Sequence, residues 1–186
     1  VKLKPSSRTE LVLEYYFSQK LRHIDDMRKA GADIINLGIG SPDLPPAPGV
    51  IEKLSESAKL PNVHGYQSYN GIPALRKAFA EWYSKYFRVT LNPDTEILPL
   101  IGSKEGIMHI SMAFVNDGDE VLVPNPGYPT YTSVTKLAGG KVRSYNLKAE
   151  NNWHPDLNEL EDSDLNRVKI MWVNYPNMAT GSKGSK

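Results

Sequence analysis

The segment GDEVLVPNPGY (residues 118–128) contains a continuous apolar run between two turn-forming stretches. Asp117-Gly118 indicates a turn, Val121–Val123 predicts a short strand, and the Pro- and Gly-rich residues after it end that strand. A strand that is apolar at successive positions, and not only at alternate ones, is typical of a parallel sheet covered by helices. This segment therefore favours an α/β fold.

The sequence around it continues the same alternation of strands and helices. We predict strands over residues 97–101, 141–145 and 168–173, and helices over residues 104–116, 129–138 and 156–161. Strands that alternate with helices in this way indicate a mainly parallel sheet flanked by helices.

The amino-terminal part has a different pattern. Apolar residues at three- and four-residue spacing predict helices over residues 9–30, 49–60 and 73–87, with a short extended run over 34–37. Four prolines between residues 42 and 48 exclude regular structure there and indicate a linker.

Composition excludes several functions. The 186 residues are 40% hydrophobic and 23% charged, which is ordinary for a globular protein with a substantial core. The net charge of +1 argues against a nucleic-acid partner. The absence of cysteine excludes disulfides and thiolate chemistry and agrees with a cytoplasmic protein. No apolar stretch is long enough to cross a membrane.

In open α/β sheets, ligands bind beyond the carboxyl ends of the strands, so the loops at residues 102–106, 124–128 and 174–177 are the candidate site. Gly102 allows close approach of a ligand to the backbone. Ser103 either caps the helix that follows or offers its hydroxyl to a phosphate, because a helix N-terminus attracts anions. From this loop alone, the capping role is favoured.

Other single residues carry weaker signals. Tyr128 follows a predicted strand and either stacks on a planar ligand or packs on its own domain. His109 lies in an apolar helix and is expected to be packed. The sequence contains neither a P-loop nor the G-x-S-x-G segment of serine hydrolases.

Taken together, six segments carry a more specific signal. The chain resembles the class I/II aminotransferases of fold type I, which use pyridoxal phosphate (PLP), over about residues 34–181. The segments that carry this resemblance follow one another in the family's order: NLGIGSPD (36–43), GYQSYNGIPALR (65–76), GSKEG (102–106), GDEVLVP (118–124), PGYPTY (126–131) and NYPNMATG (174–181).

The resemblance implies a three-layer PLP-transferase fold and assigns roles to matching residues. Gly40 would lie beside the substrate carboxylate, and Tyr66 would reach the phosphate in the other subunit of a homodimer. Ser103 and Lys104 would hold the phosphate of the cofactor, while Tyr128 would stack on its ring. Asn177 would be the candidate for a hydrogen bond to the cofactor's 3′ oxygen. No metal site is implied.

Two departures from the family pattern concern the last segment and the chain's end. Met178 and Ala179 stand where the family has Asn and Pro, so Asn177 lies one position earlier than the cofactor-binding asparagine. The lysine that forms the Schiff base is expected beyond the end of this sequence, and none of the 186 residues is expected to be catalytic. Lys183 and Lys186 belong to a Gly-Ser-Lys tail without the family's lysine motif.

The domain organisation implied by the resemblance has three parts. Residues 1–45 form an amino-terminal arm, helix and linker that belong to a small domain, and residues 46–181 form the first part of a PLP-binding large domain. Residues 182–186 form the tail.

The implied reaction transfers an amino group from an amino acid to a 2-oxo acid. Three alternatives stay open: a truncated, non-catalytic fragment, a C–S lyase or decarboxylase of the same fold type, and an α/β phosphate-binding module unrelated to PLP.

Overall fold

The computed structural model describes residues 3–12, 14–38, 40 and 42–185. The chain forms two compact units. Residues 15–99 form one, called the helical unit below, and residues 1–14 with 100–186 form the other, called the sheet unit.

The helical unit contains α1 (Tyr16–Lys29), α2 (Pro48–Ala58) and α3 (Pro73–Phe87). Both α2 and α3 begin with proline, whose fixed φ suits the first turn. The predicted helices over residues 49–60 and 73–87 are therefore confirmed.

Two predictions in the amino-terminal region are wrong. The helix expected over residues 9–30 is divided, because Val12 has extended backbone and Tyr15 has non-helical backbone between a 3-10 helix (Ser7–Leu11) and α1. Leu13, part of the predicted pattern, lies outside the described residues. The run at 34–37 forms no strand, since the described part of the helical unit contains no strand with which it could pair.

The sheet unit contains a three-stranded parallel sheet. Its strands are β1 (Glu120–Asn125), β2 (Lys141–Asn146) and β3 (Val168–Met171), in the order β2-β1-β3. Glu120 lies opposite Lys141 and Asn125 opposite Asn146, while the pairing of β1 with β3 is irregular between Glu120 and Val121. The strand predicted over 97–101 is wrong, because this segment pairs with none of the three strands.

Helices cover both faces of this sheet. The helices are α4 (Ser103–Phe114), α5 (Pro129–Leu137) and α6 (Leu157–Glu161), with a 3-10 turn at Ala149–Asn151. Val121 and Val123 pack in a core with residues of α4 and α5, whereas Leu122 packs on the opposite face with Tyr145, Leu147 and α6. This arrangement confirms the predicted three-layer α/β fold.

One residue of α4 differs from expectation. His109 is exposed, because the buried residues Ile107 and Ser111 lie one turn apart on the opposite face of the helix. None of the helices in the described residues has the length and apolar character needed to cross a membrane.

Candidate active site

The first turn of α4 presents a polar, exposed surface. Gly102 precedes the helix with extended backbone, and no side chain caps the helix. The Ser103 hydroxyl has no hydrogen-bond partner among the described residues, and Ser103 is the first residue inside the helix. The interpretation of Ser103 as the capping residue is therefore wrong, and its hydroxyl is available to a ligand.

Glu105 takes part in closing this helix end. Its Oε2 accepts a hydrogen bond of 2.7 Å from the Ile101 N–H, just before the helix. A carboxylate in the first turn is also favoured by the helix dipole. The turn is thus held by Glu105, which leaves Ser103 uninvolved in its stability.

Tyr128 lies beside this helix end. It is half-buried at the residue before α5, in the loop that follows β1. The Lys104 ammonium nitrogen is 5.8 Å from the centroid of the Tyr128 ring. The fold thus brings together a cation, a helix N-terminus and an aromatic face, although Lys104 begins α4 and Tyr128 precedes α5.

The loop before Tyr128 is tightly folded. A Cβ atom on Gly127 would lie 2.3 Å from the Pro124 carbonyl oxygen, which is closer than any side chain tolerates. Only glycine fits this position without a shift of the backbone. The loop consequently fixes where α5 begins and where the Tyr128 ring lies.

A second layer of aromatic residues supports Tyr128. The Tyr131 ring contacts it edge to face, with centroids 5.7 Å apart, and itself stacks on Trp172 at 5.1 Å and 9°. Tyr145 donates a hydrogen bond of 2.6 Å to the Trp172 carbonyl oxygen. The supporting roles of Tyr131 and Trp172 were not predicted. For Tyr131, a signal was present in the sequence: it lies three residues after Tyr128, a spacing that places two side chains next to each other at the start of a helix.

Burial alters the acidity of these phenols. It is the main cause of a raised pKa for both Tyr131 and Tyr145, with smaller contributions from neighbouring tyrosines. Both rings therefore stay neutral and serve as packing around the candidate site.

Asn177 is occupied within its own loop. It is only 4% exposed, and its Oδ1 accepts hydrogen bonds from the N–H groups of Ala179 and Thr180 and from the Thr180 hydroxyl. The Met178 N–H is bonded to Asn174 Oδ1. These bonds shape the 174–181 loop, and they use the side-chain oxygen of Asn177.

The other two predicted residues belong to the helical unit. The Tyr66 side chain is fully exposed, and a Cβ atom on Gly40 would meet open space. Their roles stay predictions. No cluster of three or more His, Asp or Glu side chains suited to a metal ion occurs within the described ranges.

Comparison with known families agrees with this geometry. The family description "Aminotransferase class I and II" matches residues 32–186. The chain belongs to this aminotransferase family.

Individual aminotransferases extend the comparison. LL-diaminopimelate aminotransferase of Dehalococcoides mccartyi is 46% identical over 180 residues, which are 97% of this chain and 46% of that protein. The enzyme of the same name from Aquifex aeolicus is 42% identical over 95% of this chain and 46% of its own length. The chain thus spans about half the length of the curated relatives it matches.

Solved aminotransferase structures have the same fold. BacF from Bacillus subtilis, in its apo form, superimposes with a TM-score of 0.91 and 37% identity, covering 100% of this chain and 47% of its own. An alanine aminotransferase from Pyrococcus furiosus gives 0.87 and 31% identity, with 98% and 47% covered.

Proposed function

We propose that the sheet unit forms the phosphate- and ring-binding part of a PLP site. The observation that carries this proposal is the placement of Lys104 beside the Tyr128 ring at the N-terminus of α4. PLP joins an anionic phosphate to an aromatic ring, so it matches both halves of this arrangement.

Each residue would have a distinct part in holding the cofactor. The free Ser103 hydroxyl and the first-turn N–H groups would bind the phosphate, with the positive helix end favouring its charge. The Tyr128 ring would lie against the pyridine ring and keep it from tilting. Bound PLP supplies the electron sink for amino-group chemistry, and these residues orient it.

The activity we propose is transfer of an amino group between an amino acid and a 2-oxo acid. Because relatives that are 40–46% identical carry the name LL-diaminopimelate aminotransferase, LL-diaminopimelate is the first substrate to test. The lysine needed for covalent chemistry and the remaining substrate contacts are proposed to come from chain outside these 186 residues. We further propose a cytoplasmic homodimer in which Tyr66 and Gly40 complete the site.

Cofactor binding by the chain itself tests the first part. Titration with PLP should quench tryptophan fluorescence, since Trp172 lies behind Tyr131 and Tyr128. Inorganic phosphate should compete, and Ser103→Ala should weaken binding. Ser84→Ala is the control, because Ser84 is an exposed serine within α3 of the helical unit. Binding that ignores phosphate and is unaffected by Ser103→Ala would contradict the proposal.

The reaction requires a separate assay on the full-length protein. Production of a new amino acid from LL-diaminopimelate and a 2-oxo acid supports transamination. Release of carbon dioxide or of a thiol from amino acid substrates instead indicates decarboxylase or C–S lyase activity. An intact mass near 20.8 kDa, together with PLP binding and no turnover, would identify the protein as a binding-only fragment.

A further inference from the structure

A buried arginine lies in the helical unit. Arg76 on α3 is 8% exposed, and its guanidinium makes hydrogen bonds in three directions. Nε donates to the Pro93 carbonyl oxygen at 2.8 Å, and one terminal nitrogen donates to Asp94 Oδ1 at 3.0 Å. The other terminal nitrogen donates to the carbonyl oxygens of Asn70 and Gly71.

Most of these partners are backbone carbonyls. Asp94 is the only carboxylate that faces the guanidinium among the described residues, and its side chain is 75% exposed. Because the single carboxylate partner is largely solvated, the buried Arg76 charge is satisfied mainly by hydrogen bonds to backbone carbonyls. The planar, five-donor group of arginine suits the joining of two backbone segments, and a lysine could not reproduce it.

One of the two joined segments is fixed internally. In the loop at residues 92–96, the Asp94 N–H bonds to Asn92 Oδ1, and the Asn92 N–H bonds to Glu96 Oε2. The Glu96 N–H returns to the Asn92 carbonyl oxygen. This loop therefore provides a rigid anchor for Arg76.

The other segment, residues 66–71, which we call the presenting loop, is held internally by short-range hydrogen bonds. The Asn70 N–H donates to Ser68 Oγ at 3.4 Å, and Gln67 Nε2 donates to the Gly65 carbonyl oxygen at 3.0 Å. The turn of this loop is closed by a 2.9 Å bond from the Gly71 N–H to the Ser68 carbonyl oxygen, with Gly71 at a φ of 75°. Tyr66 and Tyr69, in contrast, are fully exposed. The loop's carboxyl end is fixed, and its two aromatic side chains extend into solvent.

We propose that Arg76 is a positioning residue for the presenting loop. It ties the carboxyl end of this loop to the 92–96 anchor, so that Tyr66 keeps one orientation toward the cofactor phosphate of a second copy of the chain. The proposal rests on the proposed function, because it takes Tyr66 as a phosphate ligand across the subunit boundary.

Amide hydrogen exchange tests the ordering directly. In Arg76→Lys, the charge stays but the fork is lost, and we expect the amides of residues 68–71 to exchange about tenfold faster or more. Amides of β1, in the sheet unit, should keep their exchange rates. Lys77→Gln is the matched control, because Lys77 is the next residue on α3 and its side chain is 74% exposed. Asp94→Asn, which removes the charge of the solvated partner but keeps an oxygen that can accept the hydrogen bond, should give a smaller increase.

Cofactor affinity of the full-length protein tests the consequence. We expect Tyr66→Phe and Arg76→Lys each to weaken PLP binding. If Arg76 acts through Tyr66, the two losses are not additive, and the double variant should have the same affinity as the single variant with the larger loss. Fully additive losses would overturn the link between Arg76 and Tyr66. Unchanged exchange at 68–71 in Arg76→Lys, or an equal increase in β1, would overturn the positioning role itself.

The two levels of the proposal fail in different ways. If Tyr66→Phe leaves PLP affinity unchanged, the phosphate role of Tyr66 is wrong and Arg76 cannot act through it. The exchange rates then still decide whether Arg76 orders the loop.

Discussion

Tyr128 is the residue on which the proposed cofactor site depends most. Its ring is held by Tyr131 from one side and approached by Lys104. Because aromatic stacking contributes about 0.5–1.5 kcal/mol, we expect Tyr128→Ala to weaken PLP binding about two- to tenfold. Tyr128→Phe keeps the ring and should bind nearly as well as the parent. A fluorescence titration measures both, and equal affinity in the alanine variant would remove Tyr128 from the site.

Tyr145 makes stability sensitive to alkaline pH. Its pKa is raised in the folded state, chiefly by burial, so its contribution to stability is complete below about pH 10 and is lost as the pH rises through the folded-state pKa. The phenol must also remain protonated to donate to the Trp172 carbonyl.

The corresponding variant is Tyr145→Phe. We expect it to lower the free energy of unfolding by about 1 kcal/mol at neutral pH, through loss of one hydrogen bond. It should also reduce the fall in stability above about pH 10. Urea unfolding at two pH values checks this, and a fall as steep in the variant as in the parent would contradict the assignment. Tyr131, whose pKa is also raised, accounts for part of any remaining slope.

Among the elements, the first turn of α4 uses different residues for stability and for binding: Glu105 stabilises the turn, and Ser103 is proposed to bind the cofactor phosphate. Ser103→Ala should change the free energy of unfolding by less than about 0.5 kcal/mol, because the hydroxyl has no partner in the described chain. Glu105→Ala should cost about 1 kcal/mol, since it removes the bond to the Ile101 N–H. Thermal unfolding measures both variants. A larger loss for Ser103→Ala would restore the capping interpretation.

Elements with a clear internal pattern were predictable from sequence. Pro73 and the spacing of apolar residues define α3, and the continuous apolar run at 121–123 defines β1. The runs at 34–37 and 97–101 have equally apolar residues but form no strand. A strand needs a partner that supplies its hydrogen bonds, and the sequence of one segment does not show whether that partner exists.

The candidate site was predictable where its residues adjoin helices and strands that the sequence identifies. Ser103 and Lys104 begin a helix that the sequence identifies, and Tyr128 follows β1, as the sequence also predicts. The strand expected before Ser103 does not form, so the rule on strand ends accounts for Tyr128 alone. The sequence did not show that Glu105, and not Ser103, closes the start of α4. It also did not show that the side-chain oxygen of Asn177 accepts hydrogen bonds from the Ala179 and Thr180 N–H groups. Such local competition for hydrogen bonds depends on backbone geometry.

At the scale of the whole molecule, the exposed aromatic residues of α3 should cause association. Trp82, Tyr83 and Phe87 contact one another at ring-centroid distances of 5.0–5.5 Å, and each is exposed by more than a third. Exposed apolar clusters of this kind promote self-association. We expect sedimentation at rising concentration to show oligomers of the 186-residue chain.

The matching substitutions test which surface is responsible. Trp82→Ser with Phe87→Ser should lower the association, whereas Leu157→Ser, at a single exposed apolar residue of α6, should not. Equal association of all three proteins would show that another surface is responsible.

The strand order β2-β1-β3 also determines when the sheet can assemble during synthesis. The central strand β1, at residues 120–125, is translated first, and its two neighbours follow at 141–146 and 168–171. Until the ribosome has released residue 171, one edge of β1 has no partner, and Val121 and Val123 lack a complete sheet beneath α4 and α5. Protease resistance of stalled nascent chains should therefore appear abruptly once β3 has emerged, and not gradually as each helix is added.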